Sequence, residues 1–219
     1  MKYPLAEKFK APQGEGVYTG TPMAFVRLVG CSVGQKVCHH CDTDFTRMNP
    51  DLGGGLMDAE SILNWAADGG YEHICLTGGE PLDRDLTEII LAAQKREIQV
   101  HVETSGTVIP LWLYKWHEDM AMPWNLWITV SPKPGFTSEM IVIADEIKVI
   151  IGGLGDGPGW PTIDDAVEWQ RTLQKDVFIQ PRNEIYDVNM VNLQEVLRLL
   201  HEHPRLRLSV QLHKFIRTR

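Results

Sequence analysis

The sequence is poor in the features that would take it outside ordinary globular chemistry. Four cysteines in 219 residues are too few for a disulfide framework. A chain of this size buries roughly 70% of its unfolded surface without one. No apolar run approaches the roughly 18–20 residues needed to span a bilayer. The first eight residues, MKYPLAEK, lack an apolar core and a small-residue cleavage site, so no secretory leader is expected and a cytoplasmic location is. Basic residues are outnumbered 21 to 29, for a net charge of −8, which argues against a general nucleic-acid or anionic-membrane binder. Repeats, low-complexity tracts and coiled-coil bias are also missing, so one domain over residues 1–219 is expected.

What is present is an alternation of short β-rich runs and amphipathic stretches. Strands are expected at Pro22–Val29, Tyr71–Leu76, Ile98–Glu103, Leu126–Val130, Glu146–Ile151, Val177–Ile179 and Leu206–Leu212. Helices are expected from the Asp58 cap to Gly69-Gly70, and over Asp83–Arg96, Ile163–Leu173 and Met190–His201. Strands separated by helices of this length imply parallel βαβ units. The polar and glycine-bearing motifs fall at strand C-terminal ends, the edge at which parallel α/β folds build their sites.

Three of the four cysteines, Cys31, Cys38 and Cys41, lie within eleven residues, next to His39 and His40. A Cys₃His zinc site, an iron–sulfur cluster on three thiolates with one iron open, and no metal at all are each compatible with that spacing. A deaminase zinc site is not, because His101-Val102-Glu103 follows the cysteines instead of preceding them. Cys75, in the middle of an apolar strand, reads as a small core residue. Arg27 interrupts the apolar run Ala24-Phe25-Val26-Arg27-Leu28-Val29, so it is either salt-bridged or placed to meet an anion. The glycine loop at 152–159 lacks G-x-G-x-x-G spacing and reads as a surface loop. The tryptophans around 112–127 read as a helical patch or subunit contact.

Cys38-x-x-Cys41 and Thr77-Gly78-Gly79-Glu80-Pro81 resemble the radical S-adenosylmethionine (SAM) superfamily, although six residues separate Cys31 from Cys38 where three are common. Gln13-Gly14-Glu15-Gly16, Arg27-Leu28-Val29-Gly30-Cys31, Cys41-Asp42-Thr43 and Glu103-Thr104-Ser105-Gly106-Thr107 narrow the resemblance, together with Ser131-Pro132-Lys133, Asp145 to Ile150, Gln180-Pro181 and Gln211-Leu212-His213-Lys214. Their order along the chain is similar to that in the 7-carboxy-7-deazaguanine synthase family.

The resemblance implies an α/β fold, a truncated, incomplete (β/α) TIM-like barrel with its site at the strand C-terminal ends. It implies a [4Fe–4S] cluster on Cys31, Cys38 and Cys41, SAM on the open iron, and Mg²⁺ at Thr43. His40, Gly79, Glu80, Glu103, Ser131, Pro132, Lys133, Gln180, Pro181, Arg182 and Asn183 would contact SAM. Glu80 would accept from its ammonium group, Glu103 from its ribose hydroxyls. Pro12, Gln13, Gly14, Arg27, Thr77 and the terminal Arg219 would hold a pterin substrate, Arg27 by its carboxylate. His213, expected on the last strand, would be an acid or base. The implied reaction turns 6-carboxy-5,6,7,8-tetrahydropterin into 7-carboxy-7-deazaguanine with loss of ammonia. An electron donor such as flavodoxin and a homodimer are further expectations. The rivals are a glycyl-radical-enzyme activase and a zinc-stabilised binding module.

Overall fold

Apolar residues that alternate along a segment put one face of a strand on the core, and those that recur every three to four residues do the same for a helix. Both periods are realised in the computed structural model, which describes residues 1–34, 37–38, 41, 43–152, 157–184 and 187–216. Among the described residues the strands are β1 (Lys2–Pro12), β2 (Pro22–Leu28), β3 (Gly55–Asp58), β4 (His73–Gly78), β5 (Gln99–Thr104), β6 (Leu126–Val130), β7 (Glu146–Ile151), β8 (Asp176–Pro181) and β9 (Arg207–Leu208). The helices are α1 (Ala59–Ala67), α2 (Thr87–Gln94), α3 (Leu111–Glu118), α4 (Ser138–Ile143), α5 (Ile163–Leu173), α6 (Met190–Glu202) and α7 (Leu212–Ile216).

The strands form one sheet in the order β3-β1-β2-β4-β5-β6-β7-β8-β9. From β2 to β9 each neighbouring pair is parallel, whereas β1 runs antiparallel to β2 and β3. The two ends of that order do not pair with each other, so the (β/α) barrel stays open, as the resemblance implied. Val26, Leu76, Val102, Ile128 and Val149 point outward into one buried cluster with Ile62 and Leu63 of α1, Ile89 and Ile90 of α2, Leu113 of α3 and Val196 of α6. Each such side chain contributes about 1.5–3 kcal/mol by leaving water. Asp58 ends β3 and caps α1, its carboxylate accepting from the Ser61 amide at 2.8 Å, a contact worth about 1 kcal/mol.

The inward residues fall into layers set by the register. Phe25, Cys75, His101 and Trp127 are partners across β2, β4, β5 and β6. Two residues further along the strands, Arg27 pairs with Thr77, and Glu103 with Thr129, which pairs in turn with Glu146. The first layer is neutral, and the second is polar.

Several elements depart from the sequence expectation. β1 and β3 were not expected, nor was α4; Pro4 and Pro12 weaken the strand signal of β1, and a register shift between Leu5 and Glu7 breaks its alternation. α2 starts at Thr87, not Asp83, because Pro81–Asp83 forms a separate 3₁₀ turn. The final strand is only Arg207–Leu208, and His213, expected on it, belongs to the helix α7. Trp112 and Trp116 sit on α3 with ring centroids 5.0 Å apart, packed on the core. Part of the glycine loop, residues 153–156, lies outside the described residues.

Candidate active site

The cysteine loop follows β2, and the turn after β4 presses against its start. A Cβ on Gly79 would stand 1.7 Å from the Gly30 carbonyl oxygen and 3.1 Å from the Cys31 Cβ, so only glycine permits this approach. The Gly79 and Glu80 amides donate to the Leu28 and Gly30 carbonyls at 3.2 and 3.1 Å, locking the two strand ends together. Cys31, Cys38 and Cys41 all open on one cavity of about 220 Å³ at the C-terminal ends of the strands, lined also by Gly79, Ser131, Lys133 and Gln180. Burial pushes the Cys38 thiol pKa up, with the Lys133 ammonium opposing. Burial likewise draws Lys133 down to about 8, against the pull of Cys38. The Lys133 ammonium donates to the Ser131 carbonyl and hydroxyl at 2.9 and 2.8 Å.

Two further cavities, each of about 180 Å³, adjoin the first. One runs from Cys38 and Cys41 past Trp160 to Pro181, Arg182 and Asn183. The other is lined by Gln13, Arg27, Thr43, Thr77 and His213, and shares Glu15, Glu103 and Gln211 with the cysteine cavity. In it the Arg27 guanidinium donates to the Thr43 hydroxyl. Its Nε lies 2.9 Å from Glu7 Oε1, an ion pair whose angle makes no hydrogen bond. It also stacks 5.5 Å over the Phe9 ring. Arg27 is thus salt-bridged, and it also lines a cavity.

Glu103 ties this cavity to the wall, accepting from Gln13 Nε2 at 3.0 Å and from the Thr77 hydroxyl at 3.2 Å. Lys148 of β7, 4% exposed, donates to Glu15 and lies 3.8 Å from Glu103. Burial would lower its pKa, but Glu15, Glu103 and Glu146 outweigh burial and hold it above the ordinary lysine value. Burial would likewise raise the Glu15 pKa, and Lys148 reverses that, holding it well below the carboxylate range. Gln211 Nε2 donates to the other Glu15 oxygen at 2.9 Å. Beneath Glu15, Gly16 has φ +67 and a Cβ there would overlap the Glu146 carboxylate at 1.9 Å, so glycine is required where this loop enters the barrel.

Most of the expected site residues line these cavities, and a few lie elsewhere or are engaged within the protein. Glu80 is 2% exposed and its carboxylate accepts from the Leu82 and Ser105 amides and the Thr104 and Ser105 hydroxyls. Its carboxylate thus buttresses the Gly79 turn, and Glu80 also lines the cysteine cavity. Pro12 is exposed opposite Pro22 at the end of the β1–β2 pair and lines none of these cavities; neither does the buried Pro132. Gly14 packs under His213, where a Cβ would meet its Nδ1 at 2.5 Å. His40 and Arg219 lie outside the described residues. Glu15, Lys148 and Gln211 also line the cysteine cavity, although the motifs that contain them do not single them out. The signal for Lys148 was the one used for Arg27, a charge inside an apolar strand.

The donor set suits a cluster. Thiolates are soft ligands for iron, and the three open on a shared volume. Magnesium fits less well: Thr43 offers one oxygen, already facing a guanidinium.

Residues 26–121 match the Radical SAM superfamily. The 7-carboxy-7-deazaguanine synthase of Escherichia coli is 30% identical, over 99% of this chain and 99% of its own. That of Bradyrhizobium diazoefficiens is 32% identical over 98% of each. The crystal structure of QueE from Escherichia coli superposes with a TM-score of 0.73 at 29% identity, covering 96% of this chain and 94% of that one. Similarity of sequence and fold over nearly the full length, with three thiols at the mouth of an open barrel, means that the chain belongs to the 7-carboxy-7-deazaguanine synthase family of radical SAM enzymes.

Proposed function

We propose that the chain converts 6-carboxy-5,6,7,8-tetrahydropterin to 7-carboxy-7-deazaguanine and ammonia, as a cytoplasmic enzyme acting through residues 1–219 as one domain. The observation that carries this reading is the junction of two cavities, one bearing three thiols and the other an arginine, which share Glu15, Glu103 and Gln211. Cys31, Cys38 and Cys41 would hold a [4Fe–4S] cluster. Together with SAM the cluster supplies one-electron cleavage chemistry that makes hydrogen abstraction from carbon accessible.

The remaining work falls to the protein. Gly79 lets the backbone approach SAM, and Ser131, Lys133, Gln180, Pro181, Arg182 and Asn183 line its bed. Arg27 clamps the pterin carboxylate, a pairing that suits a planar guanidinium. Gln13 and Thr77 orient the ring with Glu103, and His213 covers it from α7 as an acid or base. Mg²⁺ would join at Thr43 only when substrate oxygens and water complete its shell. Flavodoxin or a similar donor supplies the electron, and the chain pairs as a homodimer.

The test is anaerobic reconstitution followed by incubation with SAM, reductant, Mg²⁺ and the pterin. A brown protein with about four irons per chain that forms the deazaguanine supports the reading. Colourless protein holding zinc would sink it, and SAM cleavage with the pterin untouched would favour an activase.

A further inference from the structure

A lysine withdrawn from water is tolerated when carboxylates surround it, and where it lies between two cavities it also sets what those carboxylates can do. Lys148 lines the cysteine cavity, and its carboxylate partners reach the second one. It projects from β7 into the barrel, and its partners come from three other parts of the chain. Glu15 lies in the loop after β1, Glu103 on β5, and Gln211, through Glu15, just ahead of α7. The charged groups facing this network are Glu15, Glu103, Glu146, Lys133 and, against Glu15, His213. Glu15 and Glu103 line both the cysteine cavity and the Arg27 cavity. The Lys148 group therefore forms the partition between them.

We infer that Lys148 is a positioning residue, which fixes Glu15 and Glu103 in the partition so that a pterin held by Arg27 is presented to the cysteine side in one orientation. This rests on the proposed function. Without its cation the buried Glu15 carboxylate takes a proton more readily, and the Gln13 contact to Glu103 and the Gln211 contact to Glu15 then lose their fixed acceptors. Misplacement of about 1 Å costs about 10²-fold in rate.

The experiment compares Lys148→Met, Lys148→Arg and the double variant Lys148→Met/Glu15→Gln, each reconstituted anaerobically. Iron content and SAM binding should match the wild type in all three. Lys148→Met should lose about 10²-fold in kcat/KM, its acid limb should move to higher pH, and its amides at Gly16 and Val17, next to Glu15, should exchange hydrogen faster. Lys148→Arg should restore the pH profile. The double variant should restore stability and slow exchange without restoring the rate. An unshifted pH profile and unchanged pterin affinity in a folded Lys148→Met protein would overturn the inference. If the wild type itself neither binds nor converts the pterin, the functional reading fails instead, and the exchange rates still decide whether Lys148 holds the Glu15 loop.

Discussion

Within the barrel, two adjacent layers treat buried polarity in opposite ways. The upper one, at the strand C-terminal ends, keeps charges and pairs them: Arg27 with Glu7, Lys148 with Glu15 and Glu103. The lower one keeps polar groups neutral. There His101 is 3% exposed, its Nε2 lies 2.9 Å from His73 Nδ1, and Tyr18 and Trp127 pack around the pair, with Tyr18 edge-on 4.5 Å from His101 and 5.1 Å from Trp127. Burial, and then the neighbouring His73, lowers the His101 pKa to about 3. One pleat step separates the layers, so the boundary between reactive and inert interior is drawn by strand register alone. The upper layer spends desolvation energy on groups that face cavities, and the lower one avoids charge and packs.

The largest effect of a single substitution should come from Glu80, a buried carboxylate held by four hydrogen bonds. Removing Glu80 by alanine leaves the Leu82 and Ser105 amides and the Thr104 and Ser105 hydroxyls without their acceptor. The expected loss is about 3 kcal/mol or more in urea unfolding, with failure to retain iron because the Gly79 turn is no longer held. Glu80→Gln should fall between, since its amide turns one acceptor into a donor facing other donors. An alanine variant as stable as the wild type would show that the upper layer does not depend on its polar groups.

Acid should separate the layers. The ordinary histidine value is 6.5 and the folded His101 value about 3, so the unfolded chain binds the proton first. Stability is then full above pH 6.5 and falls as pH drops from 6.5 towards 3, on the order of 5 kcal/mol in all. Glu15, held below its ordinary 4.5, costs stability only once pH falls below that value. Between pH 6.5 and 4.5 His101 should therefore lose stability on acidification, while Glu146, whose pKa burial raises, changes it in the opposite sense. In urea titrations over that window the wild type should weaken more steeply with falling pH than His101→Phe does, both losing stability further down. Equal slopes for the two proteins would place the acid sensitivity elsewhere.

How far the sequence anticipates these layers depends on how local each signal is. β6, β7 and α5 fall where periodicity puts them, because each is a full apolar run or stripe with clear ends. The cysteines, Gly79, Arg27 and Thr77 were legible as motifs at strand ends. β1 was hidden by two prolines and a bulge, and the reach of the final strand was overestimated because Leu206–Leu212 is apolar enough to suggest one. Glu80 was recognisable as important but not for what it touches, since its donors at 104 and 105 come from the next strand. The Glu15–Gln211 bond joins residues 196 positions apart, and the His73–His101 pair depends on the register of β4 and β5. No spacing rule expresses either. They follow once the strands are laid side by side.

The smallest expected effect lies on the boundary itself, at Cys75. This residue is fully buried in the lower layer, partnered by Phe25 and His101, one step below Thr77. Burial raises its thiol pKa well above the ordinary value, so it stays protonated and is a poor candidate for iron. Cys75→Ala should leave the iron content unchanged and cost about 1 kcal/mol for the lost packing. Cys75→Ser keeps the size but adds a hydroxyl to the neutral layer, and should cost about 1–3 kcal/mol. The comparison of the two variants sharpens the boundary. If serine is the worse, the polar region stops at Thr77. If serine is accepted as readily as alanine, the polar network extends one pleat step deeper than the charged side chains do.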